Sequence, residues 1–224
     1  MTDKIPKLEK QPHYTYFEGL DLAGKTATAE RLMELIKGDW NMRHATLLND
    51  IKDNPILMLA HSMNIQDAHD AEILGNLYAA AIEFDLSNFK RPETNTIQDS
   101  LILIRTLAHH TVNGTPRISQ ILQDIYPRHP QFDSSFIFTA NIEQRLKRLE
   151  QRQRNNPESV TNDDLLIKTN PEKFLAREAC LIDFSKQLFH SVLIDTSNLN
   201  KDEVVGKIIA KAGLEQSPQL LNTK

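Results

Sequence analysis

Residues 19–26 read Gly19-Leu20-Asp21-Leu22-Ala23-Gly24-Lys25-Thr26, and every fixed position of the pattern G-x-x-x-x-G-K-[ST] is filled. The spacing has a mechanical reason. Glycines let the backbone turn its N–H groups inward around phosphate oxygens. A helix that begins at the loop then aims its positive end at the anion. In such a loop the backbone from Gly19 to Ala27, including Leu20, Leu22 and Ala23, cradles the phosphates of a nucleotide. Lys25 reaches the β- and γ-phosphates, and the Thr26 hydroxyl reaches Mg²⁺. The flanks agree with this reading. His13-Tyr14-Thr15-Tyr16-Phe17 is short, aromatic and β-prone. After the loop Ala29, Leu32, Met33, Leu35 and Ile36 recur at helical spacing until Gly38.

The bulk composition narrows the surroundings of this loop. A chain of 224 residues suits one α/β domain over 1–224, with a loose polar arm at 1–12. Charged residues make up 25% and the net charge is −4, so there is no positive excess to neutralise a nucleic-acid backbone. One cysteine, Cys180, cannot form an internal disulfide. No apolar run approaches the ~20 residues that span a bilayer, and the charged first dozen residues lack the core of a secretory signal. The expectation is a cytoplasmic protein with no nucleic-acid or membrane partner.

Along the chain, strands are expected over about 13–18, near Ala45-Thr46-Leu47-Leu48, and at Thr96–Asp99, Ser134–Thr139 and Val192–Ile194. Helices are expected over about 25–37, from Asn54-Pro55, over 70–89, 101–111, 115–126, from Ile142, over 171–189 and over 202–212. The 70–89 helix carries Ile73, Leu77, Ala80 and Phe84 on one stripe. Residues 155–164 read as a polar stretch. Strands alternating with helices predict a parallel sheet covered on both faces, the three-layer α/β arrangement.

Two features extend the loop into a site. Asp99 ends an expected central strand, on the edge where parallel sheets bind ligands, and is the candidate carboxylate for Mg²⁺ or its water. The alternative is a cap on the next helix, and the two roles can coexist. The run Arg145-Leu146-Lys147-Arg148-Leu149-Glu150-Gln151-Arg152-Gln153-Arg154 puts Arg145, Arg148 and Arg152 on one helical face and Ile142, Leu146 and Leu149 on the opposing one. Such a helix is either a solvated face or a lid over about 145–165 whose arginines stabilise charge on a transferred phosphoryl group. A GTPase would need a D-x-x-G motif beyond the loop, and Asp21 inside it is the sole match.

These parts, in this order, resemble thymidylate kinase and the neighbouring deoxynucleoside kinases over nearly the whole chain. Tyr16 to Thr26 is close to the family's F-E-G-x-D-x-x-G-K-T. Leu77-Tyr78-Ala79-Ala80 resembles its L-F-A-A, and Ile97-Gln98-Asp99 the strand before its D-R-Y. Arg148 and Arg152 match its R-x-x-x-R lid entrance, and Val192 to Ser197 its last strand and the turn near the adenine, with Thr196 beside the nucleotide. The departures fall in the other half. The family's acid and arginine after L-F-A-A are here Ala81 and Ile82, and its D-R-Y is Asp99-Ser100-Leu101.

The resemblance implies a P-loop kinase fold with a small helical lid, using ATP and Mg²⁺, and allows a homodimer through the 70–89 helix. It places Lys25, Arg148 and Arg152 on the donor. It assigns Glu18 or Asp21 to orient or deprotonate the acceptor, with Glu18 alternatively ordering the loop. Lost arginines point to an acceptor that presents a hydroxyl, held with Arg105 and His109, which share a helical face. A thymidylate kinase with altered acceptor residues and a nucleotide-binding regulator without turnover are the competing readings.

Overall fold

Side chains alternate along a strand, so neighbours enter opposite layers. In β1 (Tyr14–Glu18), Tyr16 enters one core and Phe17 the other. β4 (Ser134–Thr139) divides Ile137 from Phe136 and Phe138 in the same way. With β2 (Trp40–His44), β3 (Asn95–Asp99) and β5 (Val192–Asp195) they form a five-stranded parallel sheet in the order β2-β3-β1-β4-β5. Parallel sheets bury both faces. Here α1 (Lys25–Leu35) and α9 (Lys201–Ala212) cover one face. The other lies under α3 (Ala68–Asn88), α4 (Ile102–Val112), α5 (Pro116–Ile125) and α8 (Pro171–Phe189). The expected three-layer α/β architecture is therefore the one formed. The computed structural model describes residues 11–63 and 68–217, with the backbone alone for 68–70. Most of the expected N-terminal arm and the end of the polar tail lie outside the described residues.

The second strand is Trp40–His44, not Ala45–Leu48. Ala45 has a φ of 60°, which ends the extended run. The Asp85 carboxylate of α3 then takes over the segment. It accepts Thr46 Oγ1 at 2.7 Å, Leu47 N at 2.9 Å and Asn54 Nδ2 at 2.7 Å. Asn54 also caps α2 (Pro55–Ser62) through Leu57 N. A buried carboxylate with three donors thus folds the apolar run back onto α3.

The expected stripe on α3 is also displaced. Ile73 and Ala80 are exposed, while Gly75, Ala79, Ile82 and Asp85 are buried. Small residues decide this face. A Cβ on Gly75 would lie 2.8 Å from the His110 ring of α4, so the helices meet closely only because none is there.

Residues 155–164 are not simply a polar stretch. Thr161 and Asp164 form a capping box that starts α7 (Asn162–Thr169), and Ile167 is buried. α7 and α6 (Ile142–Asn155) close a small core of Leu22, Leu149, Ile167 and Phe174 against the P-loop. On α6 the arginines do not oppose the apolar residues. Arg145 and Leu149 are both fully buried. The outer face carries Glu143, Lys147, Glu150 and Arg154. Arginine stems pack like aliphatic chains, and their planar heads reach carbonyls that a lysine could not fork across.

Arg145 shows what this costs. Its guanidinium pairs with Glu178 of α8, lies 4.9 Å from the Phe174 ring, and donates to Ala140 O at 2.8 Å and Asp21 O at 2.7 Å. Removing one partner of a buried ion pair leaves an uncompensated charge. Arg145→Met should therefore lose about 3–5 kcal/mol in urea denaturation, and adding Glu178→Leu should recover much of that loss. Equal stability of the two variants would show that the pair is not what binds α6 to α8.

His129 predicts an acid response. It is buried against Phe132 and Phe189, and burial pushes its pKa from 6.5 down to about 4. Between those values the unfolded chain binds a proton that the folded chain refuses. Stability is thus complete above pH 6.5 and falls by roughly 3 kcal/mol as pH drops through 4. His109, pushed down to about 3 by burial and by the Arg177 charge, adds in the same direction. Denaturation midpoints of His129→Phe should fall less steeply over that interval than those of the parent chain.

Candidate functional site

β1 ends at the carboxyl edge of the sheet, and the loop from Gly19 to Gly24 carries the chain into α1. Three residues of the loop have left-handed backbones: Gly19 (φ 142°), Leu22 (φ 64°) and Gly24 (φ 92°). A Cβ on Gly19 would lie 2.4 Å from Phe138 O, so no other residue fits there. Leu22 takes this conformation with its side chain sunk among Leu149, Ile167 and Phe174.

Each carbonyl oxygen from 19 to 24 has a donor. Gly19 O accepts Lys25 Nζ at 2.5 Å and Arg105 Nη2 at 2.9 Å. Leu20 O accepts Ala23 N at 3.3 Å. Asp21 O accepts Arg145, and Leu22 O accepts Arg148 Nη1 at 2.8 Å. Ala23 O accepts Thr196 Oγ1 at 2.8 Å, and Gly24 O accepts the Thr28 hydroxyl at 2.8 Å. α1 has no side-chain cap. The N–H side of the loop and the first turn of α1 therefore face a cleft of about 340 Å³, lined by Asp21, Leu22, Gly24 to Thr28, Arg148, Arg152 and the Thr196–Lys201 turn.

The expected site residues divide around this loop. Lys25 is buried. Burial and the Arg105 charge lower its pKa, while Asp21, Asp99 and Glu18 pull the other way. Burial would raise the Asp21 carboxyl, but Arg105, Lys25, Arg152 and Arg145 outweigh it and hold the group below its ordinary value. Asp99 Oδ2 stands 3.5 Å from Thr26 Oγ1, at the edge where both can serve one cation. Arg148 ties Leu22 O to Thr196, through Oγ1 at 3.0 Å and O at 3.1 Å. Arg152 donates to both oxygens of Asp164, at 2.8 and 3.0 Å. Thr196 spends its hydroxyl on the loop backbone.

Glu18 is fully buried and takes four donors: Tyr16 Oη at 2.6 Å, Gly19 N at 3.0 Å, Leu101 N at 3.0 Å and Arg105 Nε at 3.2 Å. Burial, then the Glu18 charge, keeps the Tyr16 phenol protonated. This geometry matches the loop-ordering alternative for Glu18: it fixes Arg105, which in turn holds Gly19 O.

On the other side of the loop lies a larger cavity of about 830 Å³, walled by Leu20, Arg105 and His109 together with Tyr78, Lys173 and Arg177. Several of these groups escaped the sequence. His44, at the end of β2, pairs in register with Asp99, and its Nδ1 is 3.3 Å from Asp99 Oδ2. Arg177, Lys173 and Glu178 come from α8, where Glu178 is the partner of Arg145. None belongs to a local pattern. The strand and helix ends that align them are set by long-range packing.

No family model matches the sequence, and no curated protein matches it. Among solved structures, thymidylate kinase from Candida albicans aligns with a TM-score of 0.63 and 14% identity, over 92% of this chain and 98% of that one. Thymidylate kinase from Ehrlichia chaffeensis aligns with a TM-score of 0.57 and 16% identity, over 91% and 100%. Identity this low speaks for architecture. The chain has the fold of these two thymidylate kinases.

Proposed function

We propose that this chain is an ATP-dependent phosphotransferase that moves the γ-phosphoryl group to a hydroxyl of a small-molecule acceptor, nucleoside-like or another metabolite. One observation carries the reading: every loop carbonyl from Gly19 to Gly24 is held by a donor, which leaves the loop amides other than those of Gly19 and Ala23 to the cleft beside Lys25. Fixed N–H dipoles in that position stabilise phosphate charge without reorganising during the reaction. The residues present fit both ATP and Mg²⁺. The loop amides, Lys25 and Arg148 would hold the nucleotide, and Thr26 with Asp99 would hold the metal, which neutralises charge on phosphate oxygens when bound.

The ionised Asp21 carboxylate, at the cleft, orients the acceptor hydroxyl. As the acceptor oxygen bonds to the γ-phosphorus, the bridging bond to ADP breaks and the hydroxyl proton passes to Asp21. Arg152, anchored on Asp164, places positive charge over the transferred group. Catalysis here is mainly positioning and charge stabilisation. Support for an altered acceptor comes from Ala81 and Ile82. Both sit in the core, so neither position could send an arginine into the cavity.

Lys25→Ala should stay folded and lose about a hundredfold or more in turnover. ADP release across nucleosides, nucleoside monophosphates including dTMP, and hydroxylated metabolites identifies the acceptor. Fast release with dTMP alone would favour an ordinary thymidylate kinase. ATP binding with no ADP from any acceptor would favour a regulator. Failure of Mg-ATP to bind the folded chain in calorimetry removes the proposal.

A further inference from the structure

The larger cavity has a cationic wall beyond Arg105. α4 places His109 four residues after Arg105, one turn or ~6 Å further from the P-loop. There Arg177 of α8 donates through Nη2 to His109 Nδ1. A histidine held neutral accepts that bond without cancelling the arginine's charge, and burial keeps His109 neutral. Arg177 Nη1 reaches Asp163 at 3.3 Å, but Asp163 is 65% exposed, and such pairs bind weakly. Arg177 Nε is buried with no hydrogen-bond partner among the described residues. Lys173, one turn earlier on α8, lines the same cavity. Arg105 is paired with Glu18, so Arg177 and Lys173 are left facing one carboxylate of this wall, Asp163. His110 is pushed toward neutrality by burial and by Arg177, and burial holds the Tyr78 phenol protonated.

The Arg177 side chain is 13% exposed, so its charge is poorly solvated and an anion in the cavity would complete it. We infer that Arg177 and Lys173 form a subsite for an anionic group of the acceptor, a carboxylate or a phosphate monoester, about one helical turn beyond the end that meets the P-loop. The inference rests on the phosphotransferase reading and adds a substrate class to it: a hydroxyl to be phosphorylated at one end and a fixed negative charge at the other. Arg177 is a binding residue in this scheme and takes no part in the transfer.

The test uses the full chain with its P-loop saturated by a non-hydrolysable ATP analogue and Mg²⁺, so that added anions cannot occupy the nucleotide site. Inorganic phosphate, malonate and neutral glycerol are titrated by calorimetry. The parent chain should bind phosphate or malonate and ignore glycerol. Loss of a charged hydrogen bond should weaken anion binding about tenfold or more in Arg177→Gln, and measurably in the half-exposed Lys173→Gln, while the analogue binds as before. A response to phosphate alone assigns a phosphate monoester, and a response to malonate alone a carboxylate. Anion binding that is absent from the parent chain, or equal in parent and both variants, overturns the inference. If the analogue does not bind the parent chain, the phosphotransferase reading fails by itself. The subsite is then judged from the difference in phosphate affinity between parent and Arg177→Gln without nucleotide. Should Arg177→Gln not fold, the same comparison between parent and Lys173→Gln decides.

Discussion

The structure depends on holding six consecutive carbonyl oxygens away from a cleft. A loop that turns most of its amides inward has its oxygens facing out, and each buried oxygen needs a donor. Glycine permits the turn but does not enforce it. Enforcement comes from three arginines on two helices, Arg105 of α4 and Arg145 and Arg148 of α6, with the hydroxyls of Thr196 and Thr28. The arginines also bring positive charge next to the cleft. Loop shape and loop electrostatics thus have one origin.

That dependence accounts for the burial of Arg145. Sinking a guanidinium costs several kcal/mol in desolvation, and Glu178, Ala140 O and Asp21 O together offset it. A leucine at 145 would pack as well but would leave Asp21 O without its donor. The α6–α7 unit is consequently part of the loop's support along its inner face.

The strand–loop–helix unit, the parallel sheet and the bounds of β4 and α8 are legible in the sequence because each rests on local rules: glycine spacing, period-two apolar runs, and Asn-Pro or Thr-Pro helix starts. Expectation and structure part where a distant residue overrides local preference. Ala45–Leu48 has the composition of a strand, yet Asp85 offers it acceptor contacts some forty residues away in sequence. Ile73 and Leu77 look like the inner face of α3, but Gly75 lets His110 come closer than any side chain would. The Thr161–Asp164 capping box is a local signal too, masked by the polarity around it. On the site, the donor half follows from one motif. The other half is legible only in Arg105 and His109, four residues apart on one helix, because Arg177 and Lys173 reach the same cavity from α8 with no fixed spacing to them.

Glu18 joins the two halves. Its carboxylate closes the end of β1 by accepting from Gly19 N and Leu101 N, and it holds Arg105 between the two cavities. Arg105 then has one nitrogen on Glu18 and another on Gly19 O, so a change in the acceptor cavity that moves it must also move the first carbonyl of the P-loop. Arg177 has no such tie to the loop among the described residues. On the proposed reading an acceptor's charged end would be held by Arg177 and Lys173 away from the P-loop, while its reacting end would meet Arg105, which is bonded to the loop. In that scheme affinity for the acceptor and alignment for transfer would be separated along one helix, a turn of α4 apart.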